Sequence, residues 1–245
     1  MQASSVTRRV LASLDVRGWA WWQTPWPLRL YVGLVSLAAF GLTIYAATQT
    51  TWHASDLAKF VLLLGCGMVS VAATPRVAFI PGGITRDFLT VWVLPVAILL
   101  PPVYAMLTPI PLQILTQTRV HRGIVYRRVF TVAAFALAYG LASVVFRTFP
   151  ASFAGPSIGS GTHALTFTVA VALCEIIGGR GHQLLIVGGI KLTDPTVRFA
   201  DLTFNREALV GDFAEFDLGV LITIVVAVNA VLACVAAAAT GTKPT

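Results

Sequence analysis

The chain of 245 residues is 57% hydrophobic and only 11% charged, with a formal net charge of +7 and a mean hydropathy of +0.82. A soluble domain carries roughly 25% charged residues to face water, so the composition excludes an ordinary soluble protein. Nucleic acid is excluded as a partner on the placing of the charge: the basic residues lie between apolar runs, as juxtamembrane anchors on an anionic leaflet do, not on one polar face. The expected fold is all-α, a polytopic membrane helix bundle with about six embedded segments, one or two of them broken or re-entrant.

Residues 1–26 read as an interfacial anchor. They hold Arg8, Arg9 and Arg17 but no apolar region before Leu28, so a cleavable signal peptide is not expected. The stretch RGWAWWQTPW sets Trp19, Trp21, Trp22 and Trp26 beside Arg17. Indole rings favour the headgroup layer, because one edge is polar and the body is not. A single membrane domain over 27–240 and a short tail, 241–245, complete the expected organisation.

The first span is expected over residues 28–48, begun by Pro27, with Arg29 marking its cytoplasmic end. The second covers about 56–73, with Asp56 and Lys59 in its first turn and GCG at 65–67 as a close-packing face. Arg76 and Arg86 place the following glycine-rich loop in the cytoplasm, and Asp87 reads as the N-cap of the next helix.

Residues 88–117 form an uninterrupted uncharged run, and five of the chain's 13 prolines fall between positions 94 and 113. Arg119, Arg122, Arg127 and Arg128 follow, the strongest positive cluster in the chain and the expected contact with an anionic leaflet. Both flanking loops are therefore expected inside, yet two full crossings need about 40 residues. Two readings stay open. One is a re-entrant hairpin turning at Pro101 and Pro102; the other is one kinked crossing.

The fourth span is expected over 129–149, with Arg147 near its outer end, and an uncharged loop follows. Residues 163–192 form a second interrupted apolar run, broken by GGRGH, and read either as one long tilted helix or as a second broken segment. The last span covers about 215–239. Equal lengths of the two interrupted runs hint at an internal repeat, although their residues share no pattern.

Charged groups inside spans are costly and often functional. Glu175 is the clearest, and Arg180 and His182 follow within seven positions. Glu175 and His182 share a helical face, so these three, with the intramembrane Asn229 and the turn at Pro101 and Pro102, are the candidate ligand-binding residues. The alternative for them is structural: an internal Glu175–Arg180 pair, or an interhelical hydrogen bond from Asn229. The acids of DFAEFDLG place Asp212, Glu215 and Gly219 on one face, with Asp217 apart, and acids in a first turn suit the helix dipole. Cys66, Cys174 and Cys234 lie singly in apolar runs and read as buried thiols, so no disulfide, metal site or cofactor is expected.

RDFLTVWVLPVAILLPPVYAML, the basic YRRVF and NREALVGDFAEFDLGVLITIVVAVN occur in order over roughly residues 27–232. The set resembles the N-terminal integral membrane module of actinobacterial GGDEF-domain proteins, the diguanylate-cyclase class. The resemblance implies an input module followed by a cytoplasmic cyclase domain. Here Val228 and Asn229 are followed by AVLACVAAAATGTKPT, with no GGDEF loop and no acid pair of a cyclase, so no catalytic residue carries over. A stand-alone relative and a truncated product both fit.

The functional expectation is a non-enzymatic sensory or regulatory module of the bacterial cytoplasmic membrane, multi-pass, with its N-terminus inside. It would bind a small or lipid-like ligand, a partner membrane protein or a second copy of itself. The alternatives are a small-molecule transporter and, below it, an intramembrane enzyme using Glu175.

Overall fold

Helix α1, Trp26–Gln49, begins at Pro25 and holds Pro27 in its first turn, where a missing amide proton costs no helical bond. It ends where Thr50 turns extended, and α2, Ala54–Ala73, follows a short link. The structure, a computed structural model, describes residues 20–73, 89–120, 124–149, 161–198 and 213–226. Among them there is no strand. Four helices are long and apolar enough to cross a membrane: Trp26–Gln49, Ala54–Ala72, Val125–Thr148 and Leu165–Thr193. At 24 residues α1 is about 36 Å long, against a hydrocarbon core of about 30 Å.

The exposed faces are what mark these as membrane helices. On α1 the inward positions are Leu28, Val32, Val35 and Ala39, a heptad-like seam. Leu30, Leu34, Leu37, Phe40 and Ile44 point outward on the same helix, where a water-facing helix would carry charges. Helix α2 repeats the pattern with Leu57, Val61, Leu62 and Val69 exposed. Both helices are peripheral, with 17% of their apolar windows buried.

The centre is α6, Val125–Thr148, of whose window 61% is buried. Ile124 before it and Phe149 after it are both extended, the latter because Pro150 disfavours helical geometry in the preceding residue. One side of α6 packs Phe130, Ala133 and Ala136 against the α1 seam. Another packs Phe135, Ala138, Tyr139, Ala142 and Phe146 into the main core.

Residues 89–120 occupy the interior as three short helices: α3, Leu89–Leu99; α4, Pro102–Leu107; and α5, Pro109–Leu115, which runs into a π-type turn, Thr116–Val120. They form the hairpin. A side chain added at Gly67 of α2 would meet Trp92 Cγ at 3.1 Å and Leu112 Cδ2 at 3.4 Å. In one continuous helix, residues 20 positions apart would be separated by about 30 Å. Here both flank one point on α2. The turn is made by Pro101, extended at φ −50°, ψ 150°, as a residue before proline prefers. At the tip, Leu100, Val103 and Tyr104 pack on Leu63, while Trp52 and Phe60 put their rings against Tyr104 at 5.5 and 5.0 Å.

The second interrupted run does not break. Helix α7, Gly161–Glu175, passes through a π-type turn, Ile176–Arg180, into α8, Gly181–Thr193, with helical backbone throughout. It runs antiparallel to α6: Phe167 meets Phe146 near one end, and Gly189 lies under Phe130 near the other. The two interrupted runs thus have different structures, and the repeat they suggested is not present in them. Residues 213–226 form a further helix, α9, along α3, with Gly219 against Leu94 and the Val91 backbone and Glu215 accepting a hydrogen bond from Thr90.

These contacts sort the chain ends of the helices. Trp21 before α1 sets its ring at a tilt against Tyr126 at the start of α6, and Gln113 and Gln117 on the return leg of the hairpin bond Arg128. The start of α1, the base of the hairpin, the start of α6 and the end of α8 therefore share one end of the bundle, the basic end. The Trp52 link and the end of α6 lie at the other. Exposed Arg147 is in the last turn of α6, at that far end. Helix α9 runs from the basic end toward the far one, since Glu215 meets Thr90 while Val226 joins the cluster at the tip.

Candidate functional site

Glu175 ends α7 on the face turned to α6, and only 7% of it is exposed. A buried carboxylate is retained when donors meet it. Tyr139, fully buried on α6, supplies one: its hydroxyl donates to the carboxylate, 3.1 Å from both Oε1 and Oε2. The phenol reaches it because the chain opposite has no side chain. A Cβ at Gly178 would stand 2.6 Å from Tyr139 Cε1, so the ring lies flat against the bare backbone of the π-type turn. Gly181 receives Ala138 of α6 in ordinary contact at 3.4 Å. The glycines of IIGGRG are thus a docking face for α6.

An aromatic column continues from this point. Phe135 stacks on Tyr139 at 5.9 Å and on the His182 ring at 3.8 Å, nearly parallel to both. His182 Nε2 is buried with no hydrogen-bond partner. The column runs His182, Phe135, Tyr139, Glu175, down the seam between α6 and the α7–α8 helix. Arg180 donates from Nη1 to Gln183 Oε1 at 2.7 Å. Cys174, beside Glu175, donates its thiol to the Ala142 carbonyl at 3.4 Å.

The structure thus gathers Glu175 and His182 on one interface, with Arg180 on the intervening turn. Pro101 and Pro102 turn the chain in a different part of the core, beside Leu100 and Val103. Asn229, Asp212, Asp87, Cys234, Arg76, Arg86 and Arg122 lie outside the described residues, as does the side chain of Arg119. Arg127 is exposed at the start of α6. Arg128 is half-buried and donates to Gln113 and Gln117 at 2.9 and 3.3 Å, so it clamps the return leg of the hairpin. Cys66 is exposed on α2, against the expectation of burial; its neighbours there are the outward Leu62 and Val69. Glu215 and Gly219 do share a face, turned to α3, while Asp217 is exposed.

Sequence reasoning missed Tyr139 and Phe135. The available signal was a tyrosine at mid-span: a buried phenol seeks a partner, and Glu175 is the buried acid available to it. Among the described residues no three His, Cys, Asp or Glu side chains come together in a metal-binding group. No family model, curated protein or solved structure matches this chain.

Proposed function

We propose that this chain is a non-enzymatic sensory or regulatory module of the bacterial cytoplasmic membrane, acting through its lipid-facing surfaces on a lipid-like ligand or a partner membrane protein. Six embedded segments make it up: α1, α2, the α3–α5 hairpin, α6, the α7–α8 helix and α9. The basic end, with Arg127 and Arg128, faces the cytoplasm by the positive-inside rule.

The observation that carries this reading is the sealing of the polar centre. The Tyr139 ring fills the space over Gly178 while its hydroxyl occupies the carboxylate of Glu175. A transport path needs a polar cavity at mid-membrane between broken elements. Here the glycine turn is packed against α6, and the hairpin tip is packed by Leu63, Val96 and Tyr104. The resemblance to the membrane module of GGDEF-domain proteins supports an input role. The direction of α9, away from the basic end, is at odds with that family's parity, in which the last span ends inside.

Proteoliposomes test the reading. The protein is expected to give no proton flux to an entrapped pH dye and no solute uptake above empty vesicles, with wild type and Glu175→Gln alike. Flux or turnover abolished by Glu175→Gln would replace the regulatory reading with a transport or enzymatic one.

A further inference from the structure

A second feature lies on the outer face of α1 at the basic end. Trp21, Trp26, Arg29, Leu30, Gly33, Leu34 and Leu37 line an open groove of about 360 Å³. Its composition is one cation in an otherwise apolar trough. Trp26, Leu30, Leu34 and Leu37 are exposed, so they form a wall that a soluble partner would not meet. Gly33 has nothing within 4 Å of where its Cβ would stand, which leaves a notch part-way along. Trp21 is held in place by its ring contact with Tyr126 at 5.5 Å.

Arg29 is the informative residue. Its Nε is buried and has no hydrogen-bond partner in the protein. A guanidinium is always charged and presents a rigid fork of donors matched to phosphate oxygens. The protein itself closes off Nε, but Arg29 as a whole is only half-buried and lines the groove, so the outer donors of the fork are left to meet an anion there. The groove thus asks for a molecule with an anionic head at the level of Arg29 and a hydrocarbon tail along Gly33, Leu34 and Leu37.

We propose that this groove is a specific site for one anionic phospholipid of the inner leaflet. The phosphate accepts from the Arg29 guanidinium between Trp21 and Trp26, and one acyl chain lies in the notch at Gly33. The site rests on the reading that the basic end sits at the cytoplasmic headgroup layer. It goes beyond that reading in naming the ligand class and its seat, away from the arginines at the start of α6.

The test uses the full chain in liposomes containing a minor fraction of lipid brominated on its acyl chains, with tryptophan fluorescence as the readout. Brominated phosphatidylglycerol is compared with brominated phosphatidylcholine of the same chains. Wild type is expected to be quenched preferentially by phosphatidylglycerol, with a relative affinity about tenfold higher. Arg29→Gln is expected to abolish the preference and Arg29→Lys to keep part of it. Gly33→Leu should weaken quenching by phosphatidylglycerol with the charge intact, and Arg127→Ala should leave the preference unchanged. Equal quenching of wild type by both lipids would overturn the site while leaving the membrane reading standing. Absence of quenching by either would remove the membrane reading itself. An equal loss in Arg127→Ala would reduce the effect to surface charge, and competition by millimolar inorganic phosphate would make it a simple anion site. Energy transfer between differently labelled chains that Gly33→Leu abolishes would identify a second copy as the occupant, also overturning the proposal.

Discussion

Residues 88–117 and 163–192 are each 30 residues long, apolar and interrupted, yet the first folds back on itself and the second continues as a helix. The difference lies in what interrupts them. Two successive prolines fix Pro101 in extended geometry and remove two adjacent amide donors, so the helical ladder stops. The glycines at 178, 179 and 181 remove no donor. They add conformational freedom, and packing decides its use: Tyr139 and Ala138 close on the bare backbone, and the helix accommodates them with a π-type turn. Pro95 sits inside α3, but the two prolines after the turn are tolerated for a related reason. Pro109 and Pro111 lie in the first turn of α5, where amides lack helical partners.

The sharpest test of this contrast is a distance. With the native cysteines replaced by alanine, cysteines at positions 92 and 112 are expected to cross-link through a short bifunctional reagent. The same reagent should fail between positions 165 and 185, also 20 residues apart but about 30 Å along one helix. Cross-linking of both pairs, or of neither, would erase the difference between the runs.

Next in size is the glycine face. Gly178→Ala forces a methyl group to within contact of the Tyr139 ring and is expected to cost about 2 kcal/mol in thermal or denaturant unfolding in detergent. Gly181→Ala meets only Ala138 at an ordinary distance, and the same measurement should show a change below about 0.5 kcal/mol. Equal effects would mean that the Tyr139 contact is not what holds the turn.

Tyr139→Phe removes the phenol from the Glu175 carboxylate and is expected to cost about 1–2 kcal/mol. Adding Glu175→Gln should make the combined cost smaller than the sum of the two, which a double-mutant cycle reads as coupling.

The smallest effect belongs to the end of the second run. The Thr196 hydroxyl, and then its backbone amide, hold the exposed Asp194 carboxyl below the usual carboxylate range. A depressed folded value stabilises the turn above the ordinary aspartate pKa, and that contribution is lost as pH falls through the folded one. In carbon-detected NMR, Thr196→Val should return the Asp194 titration toward the ordinary range, with little change in melting temperature.

The sequence was informative where the solvent decides and weak where neighbours do. The spans expected at 28–48 and 129–149 differ from Trp26–Gln49 and Val125–Thr148 by a few residues, because hydropathy runs until a proline or polar residue stops them. The hairpin was one of two readings, since charge in both flanking loops argued for it and only contact with Gly67 decides it. Glu175 and His182 were legible as costly polar groups in an apolar run. Their partners were not: Tyr139 and Phe135 belong to another helix, and nothing local says which face of α6 meets the glycines. Arg128 looked like a leaflet anchor, because the glutamines it clamps lie 11 and 15 positions earlier, across the loop.

The α3–α5 hairpin has a consequence for how the protein is made. Val93, Val96, Ala97 and Val103 are fully enclosed, and the freed carbonyls near Pro101 have no lipid partner to turn to. On the ribosome this segment emerges before α6, which supplies a large part of its walls. Until α6 arrives, α1 and α2 shelter only part of the segment, so the enclosure of the hairpin is completed by chain translated after it.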